Sequence, residues 1–219
     1  LRRRKARVKI RWLGHACFLI ELPDGKTIIT DPFDRKLGYP EPAVPADIVT
    51  VSHQHFDHNA VEVVPGKPDV VQKEGRHSPG GIAVTGVLSH HDPVKGSLRG
   101  RNIIFIIEAG GLRICHLGDL GHVLDKKQLG EIGAVDVLLI PVGGHFTVGP
   151  AEAARVTGQL GPKYVVPMHY KTDYIDFPIT GPDEFLKNFP GYRIEKELTV
   201  TGDDLPETTA AVLLELYSP

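Results

Sequence analysis

Four side chains able to bind a metal ion, His53, His55, Asp57 and His58, fall within one stretch, VSHQHFDHNA, from Val51 to Ala60. Imidazole nitrogen and carboxylate oxygen without thiolate make a donor set suited to Zn²⁺ and tolerant of Mn²⁺ or Fe. A His-rich solvated turn is the plain alternative, and the crowding of donors argues against it. The stretch follows ADIVTVS, a β-branched run from Ala46 to Ser52 with Pro45 ahead of it. That run predicts a buried strand ending where the histidines begin. Polar groups delivered at the C-terminal end of a strand are the usual arrangement of an α/β active site. If the extended geometry continues, residues two apart project to one side. His53 and His55 could then share one ion, while Asp57 and His58 reach a second from the turn beyond.

Further donors stand where other strands should end. LSHHDPVKG offers His90 and His91 after a β-like run from Ile82 to Leu88, CHLGDLG offers Asp119, and VVPMHY offers His169. Asp31 follows TIIT, and metal-binding histidines commonly need such a carboxylate to hold them. His145 follows the end of DVLLIPVGG and is a candidate for touching substrate. Bland readings suit the rest. His116 and His122 flank Asp119 and suit buried or surface hydrogen bonding, His77 suits a loop, and His15 suits packing or support of a ligand.

The elements that must position these groups are strand-rich. Val8 to Gly14, His15 to Leu22 and Thr27 to Thr30 read as a meander, with a turn at PDGK. RNIIFIIEAGGLRICHLGDLG reads as a hairpin turning at Ala109-Gly110-Gly111, and Asp125 to Glu131 as a short helix. Asp136 to Gly144 is a buried strand, and GPAEAARVTGQLG a helix with Pro150 in its first turn and Gly161 as its stop. A strand in KYVVPMHY, a short helix in GPDEFLKNF, and strands near Arg193–Val200 and Ala210–Leu216 complete the chain. Residues 1–219 read as a single domain of two βα halves, sheet packed to sheet with helices outside.

The chain is 41% hydrophobic and 24% charged, enough apolar residues for a proper core, and its net charge of −2 gives no electrostatic case for nucleic acid or an anionic membrane. The basic run Leu1 to Lys5 reads as a solvated terminus rather than a binding arm. No apolar run approaches the ~18 residues of a membrane span, and neither a clean h-region nor a cleavage site marks a signal peptide. Cys17 and Cys115 form no CxxC and read as buried core residues. The expectation is a cytoplasmic protein acting on a small molecule, with its oligomeric state open.

The His-x-His-x-Asp-His run, together with WLGHACFLIE, TDPF, HLGDLGH, PVGG and PMHY in that order, resembles the metallo-β-lactamase superfamily. Within it, the chain looks like the small hydrolases related to ascorbate-phosphate lactonase, over nearly its whole length. The resemblance implies a four-layer αβ/βα sandwich with a dinuclear site between the sheet edges. By position, His53, His55 and His91 would hold one ion. Asp57, His58 and His169 would hold the other, with Asp119 bridging. His91 is preferred to His90 because the family pattern puts an Asp directly after the ligand, as Asp92 stands here. Neither cysteine falls where the antibiotic-degrading branch presents one, which argues against β-lactam turnover. The implied activity is metal-dependent hydrolysis of a small ester, lactone, amide or phosphoester. Two divalent ions, foremost zinc, would lower the pKa of a shared water from ~15.7 towards ~7, and the hydroxide so formed would attack with Asp57 orienting it and taking its proton. A di-iron redox or oxygen-handling site on the same ligands, or a metal-stabilised protein without turnover, are the rival readings.

Overall fold

A computed structural model describes residues 7–217 of the chain. The basic run Leu1 to Lys5 lies outside the described residues. The fold is mixed α/β, built of two sheets and few helices.

Five strands open the first sheet: β1 (Val8–Gly14), β2 (Cys17–Glu21), β3 (Thr27–Thr30), β4 (Ile48–Thr50) and β5 (Asp69–Val71). The second takes β6 (Gly75–His77), β7 (Ala83–His90), β8 (Arg101–Ala109), β9 (Leu112–His116), β10 (Val137–Pro141) and β11 (Tyr164–Met168). Three strands close the chain: β12 (Arg193–Glu195), β13 (Leu198–Val200) and β14 (Ala210–Leu214). The spatial orders are β13-β1-β2-β3-β4-β5 and β12-β14-β11-β10-β9-β8-β7-β6. The continuous strand expected near Arg193–Val200 is therefore split. Its first part pairs in parallel with β14 and its second antiparallel with β1, so two neighbouring strands serve opposite sheets.

Side-chain pattern explains these places. In β1 the residues Val8, Ile10 and Trp12 are buried while Lys9 and Arg11 are less so, the alternation of a strand with one wet face. Arg11 uses that face to pair with Glu21 at 2.6 Å and Glu197 at 2.5 Å. In β10 every residue is buried, as expected of a strand between parallel neighbours β9 and β11. The two sheets share one apolar core, and His116 of β9 reaches across to donate from Nε2 to Ala16 O at 2.8 Å.

The α-helices are α1 (Lys126–Ile132), α2 (Pro150–Leu160) and α3 (Asp183–Leu186). A capping box starts α1, with Asp125 accepting from Gln128 N and Gln128 returning to Asp125 N. Pro150 opens α2 and Gly161, at φ +54°, ends it. The sequence predicted helical layers on both halves. Among the described residues, α-helix occurs only after β9, with α1 against β7, α2 against β10 and α3 against α2. The connections from β3 to β5 carry only 3₁₀ turns, at Arg35–Leu37 and Val61–Val63. No helix among the described residues is long and apolar enough to cross a membrane.

Candidate metal centre

Each donor sits just past the end of a strand. His15 follows β1, Asp31 follows β3, the run His53–His58 follows β4, His91 follows β7, Asp119 follows β9 and His169 follows β11. The β4 strand stops at Thr50, so the histidine run is a turn rather than extended chain, and the expected side-to-side alternation does not apply. The turn still brings His53 and His55 together, Nε2 to Nδ1 at 3.0 Å. It reverses the chain between them and Asp57, with His58 N bonded to His55 O.

Three overlapping groups of donors result, each with its ligand atoms within 4.8 Å of one another; one of them, Asp31, His53 and His58, joins the other two. His53, His55 and His91 form the outer group, in which only His55 is exposed. Asp57, His58 and His169 form the inner group together with His15, all buried. Between them lies Asp119. Its Oδ2 is 3.0 Å from His91 Nε2, 3.2 Å from His169 Nε2, 3.3 Å from His58 Nε2 and 3.9 Å from His53 Nε2. One carboxylate oxygen thus faces imidazoles of both groups.

The far side of each ring fixes which nitrogen is free. His58 donates from Nδ1 to Asp31 Oδ2 at 2.9 Å. Ser52 Oγ donates to the same oxygen at 2.5 Å and can accept from His53 Nδ1 at 2.9 Å. His91 donates from Nδ1 to Phe146 O at 3.0 Å. In each case the Nδ1 proton is engaged and Nε2 points inward as a lone-pair donor. His58 Nε2 and Asp119 Oδ1 are buried with no hydrogen-bond partner. Buried acceptors converging without donors carry a large desolvation cost, and a divalent cation is the group that fits them.

Charge follows from this crowding. Burial pushes the His53 imidazole down to about 3, with the neighbouring His58 adding to the effect, and burial beside His169 takes His15 to about 4. Burial works against charge on His58 as well, but Asp119 and Asp57 overcome it and hold its pKa well above the ordinary value. Burial would raise Asp119; His169 and His58 instead keep its carboxyl well below the usual range.

Strain marks the same strand ends. His15 (φ +52°), Asp31 (φ +40°), His145 (φ +59°) and His169 (φ +50°) are all in the left-handed region, at a cost on the order of 1 kcal/mol or more each. Neighbouring bonds hold them there, Asp31 N to Thr50 O and His169 N to His15 O among them. The two glycines flanking Asp119 permit close approach. A Cβ on Gly118 would stand 2.4 Å from Asn102 Oδ1, and one on Gly121 2.3 Å from Asp92 N.

Other candidates fall outside the cluster. His90 is half-buried and its ring lies near that of His122, whose Nε2 accepts from His90 N. His145 is exposed and packs its ring on Phe146. His77 lies on β6 rather than in a loop.

Of three supporting residues, Asn102 escapes a reading of sequence alone, His15 is left open between packing and support, and Asp92 is noticed only as the neighbour of His91. His15 donates from Nε2 to Asp57 Oδ2 at 3.1 Å, although its apolar surroundings look like ordinary packing. Asn102 accepts Asp119 N at Oδ1 and donates to Leu117 O, fixing the bridging turn. Asp92, next to His91, accepts four backbone N–H groups, which hold its pKa down to about 2 although burial opposes this. A polar residue opening the apolar strand RNIIF was the available signal for Asn102.

Comparison with known proteins agrees with this geometry. A family model described as a beta-lactamase superfamily domain matches residues 9–169. A UPF0173 metal-dependent hydrolase of Thermococcus onnurineus is 33% identical over 90% of this chain and 99% of its own. The solved structure of a Thermotoga maritima member of the metallo-β-lactamase superfamily shares 44% identity and superposes with a TM-score of 0.81, covering 94% of this chain and 98% of that one. CmlA, a diiron β-hydroxylase from Streptomyces venezuelae, matches in fold alone, at 17% identity and a TM-score of 0.64 over 98% of this chain and 53% of its own. The chain therefore belongs to the metallo-β-lactamase superfamily, among its UPF0173 metal-dependent hydrolases.

Proposed function

We propose that the protein is a hydrolase that binds two divalent transition metals and acts on a small ester, lactone, amide or phosphoester. The observation that carries this reading is the single oxygen Asp119 Oδ2 facing Nε2 atoms of both donor groups, His91 on one side and His58 and His169 on the other. His53, His55 and His91 would hold one ion and Asp57, His58 and His169 the other, with Asp119 shared. Zinc suits the nitrogen-rich set best, with manganese or iron tolerated. Two such ions supply a water acidic enough to attack at neutral pH and a positive charge to polarise the substrate oxygen.

The chain's own residues do the rest. Burial opposes ionisation of Asp57, but His58 and His15 hold it well below the usual carboxylate range. A carboxylate so stabilised stays ionised and is a fixed hydrogen-bond acceptor, able to orient the attacking water. No protein nucleophile is required. Ser52, the serine beside the cluster, gives its proton to Asp31 and is occupied in support. The buried, unpaired thiols of Cys17 and Cys115 favour a reducing, cytoplasmic setting.

Elemental analysis of protein purified without chelator, paired with a turnover screen over esters, lactones, amides and phosphoesters, tests the proposal. Close to two ions per chain and turnover abolished by metal removal are expected. One ion per chain after loading with excess Zn²⁺ or Mn²⁺, or no turnover of any compound, would remove its support.

A further inference from the structure

The eight-stranded sheet ends on β12, and among the described residues no further strand covers that edge. Arg193 and Ile194 of β12 are exposed and Glu195 is half-buried, whereas its neighbour β14 is mostly buried. Glu195 O accepts from Glu215 N on the β14 side. Extended chain alternates, so the N–H and C=O of Ile194 face the other way, towards solvent. The Ile194 side chain is 59% exposed, and Tyr192, two residues earlier, is 39% exposed. An apolar side chain on an unpaired edge is a place where another strand can add.

Edge strands are often guarded by charges of one sign, which repel an incoming copy. The charges on β12 are of both signs and stand symmetrically about Ile194, in the order Arg193, Ile194, Glu195. Laid antiparallel on its own copy with Ile194 opposite Ile194, the strand sets Arg193 against Glu195 of the copy and Glu195 against Arg193. Both pairs fall on one face, and the two isoleucines meet on the other and exchange N–H to C=O bonds. Parallel approach in register would instead set like charge on like. Within one chain, Arg193 Nη1 and Glu195 Oε1 are 3.7 Å apart, with 53% and 40% of their side chains exposed. So exposed a pair is worth little and leaves both groups available. The other edge strands, β5, β6 and β13, carry no such pair of opposite charges.

We propose that β12 is a self-association surface, at which two copies of this chain pair antiparallel about a two-fold axis and join their eight-stranded sheets into one continuous sheet. The two-fold axis makes each Arg193–Glu195 contact occur twice, as in any isologous interface. A strand of three residues makes a small contact, so the dimer is weak and depends on concentration. The donors lie past β1, β3, β4, β7, β9 and β11, and β14 separates β11 from β12. Pairing at β12 therefore adds no residue to the metal centre and stands independently of the hydrolase reading.

The test is sedimentation equilibrium of the full chain at loadings up to about 1 mM, the weak end of specific affinities. The wild type should show a monomer–dimer equilibrium. Arg193→Glu and Glu195→Arg should each weaken it at least about tenfold, because like charges then oppose one another twice. Mixed in equal amounts, the two single variants should associate with each other about as well as the wild type does with itself, since one presents only carboxylates and the other only guanidinium groups. That recovery also shows that both variants are folded. The double variant Arg193→Glu/Glu195→Arg, with every pair reversed, should dimerise like the wild type. Monomer at every loading overturns the proposal. So does a dimer that both single variants leave unchanged, which would place the contact on another surface, and so do single variants that fail to associate when mixed.

Discussion

The inner and outer donor groups share an oxygen and differ in almost everything else. The inner one is wholly buried, contains Asp57, and draws on His15 and Asp31 for orientation. The outer one is all imidazole and includes His55, an exposed residue that lines an open cleft. Neutral ligands leave a bound cation's charge uncompensated, whereas a carboxylate offsets part of it. If both groups hold an ion as proposed, the difference divides the work: the buried group would fix its metal and orient water through Asp57, while the more open group, with Asp119 as its one shared carboxylate, would face the incoming substrate.

The sharpest way to break that division is Asp57→Asn, which keeps size but removes the charge of the inner group. Turnover at saturating metal should fall about 10²–10⁴-fold, with a much smaller change in melting temperature. Unchanged turnover would sink the role given to Asp57, and a collapsed melting temperature would make it chiefly structural. Next come the supports. Asp31→Asn should weaken both groups about 10–100-fold in metal affinity, because it orients His58 directly and His53 through Ser52. Ser52→Ala should weaken the outer group alone. Metal-binding isotherms with two resolved steps read this directly, and an equal loss at both steps in Ser52→Ala would dissolve the asymmetry.

A smaller contrast is expected at the end of β7. His91→Ala should lower metal content and His90→Ala should leave it near that of the wild type, since His91 Nε2 is 3.0 Å from Asp119 while His90 lies beside His122. The reverse result would shift the ligand register by one. The smallest effect concerns Tyr39, which lies against Gly14, next to His15, and bonds Thr172 Oγ1 at 2.7 Å. Burial pushes its phenol up to about 12 from the ordinary 10. The folded state therefore prefers the neutral phenol: its contribution is complete below about pH 10 and is lost as pH rises towards 12. Denaturation midpoints across that window should slope less in Tyr39→Phe than in the wild type.

How much of this the sequence revealed depended on whether the signal was local. Alternation along VKIRWLG and the unbroken run VLLIP announced β1 and β10, and the capping residues Asp125, Pro150 and Gly161 announced two helices. The strands β5 and β6 did not announce themselves, because each is three residues long, mostly exposed, and lacks an apolar pattern. The helix read in GPDEFLKNF shrinks to Asp183–Leu186. At the site, ligand-type residues at strand ends could be nominated from their order. The turn that joins His53 to His55 could not, because β-branched residues continue past Thr50 where the pairing stops. His15 stayed ambiguous because its partner, Asp57, is 42 positions away and only the packed sheets bring them together.

The splitting of the C-terminal strands has a consequence for how the protein folds. β1, the first strand of the described residues, pairs with β2 on one side and with the late strand β13 on the other, and Tyr217 N bonds Trp12 O. The turn bearing His15 receives His169 N from β11. Until β12, β13 and β14 have docked, one edge of each sheet therefore stays unfinished. The turns that carry His15 and His169 settle against each other only when strands far apart in the chain have packed, so closure of the inner group depends on long-range folding rather than on local order.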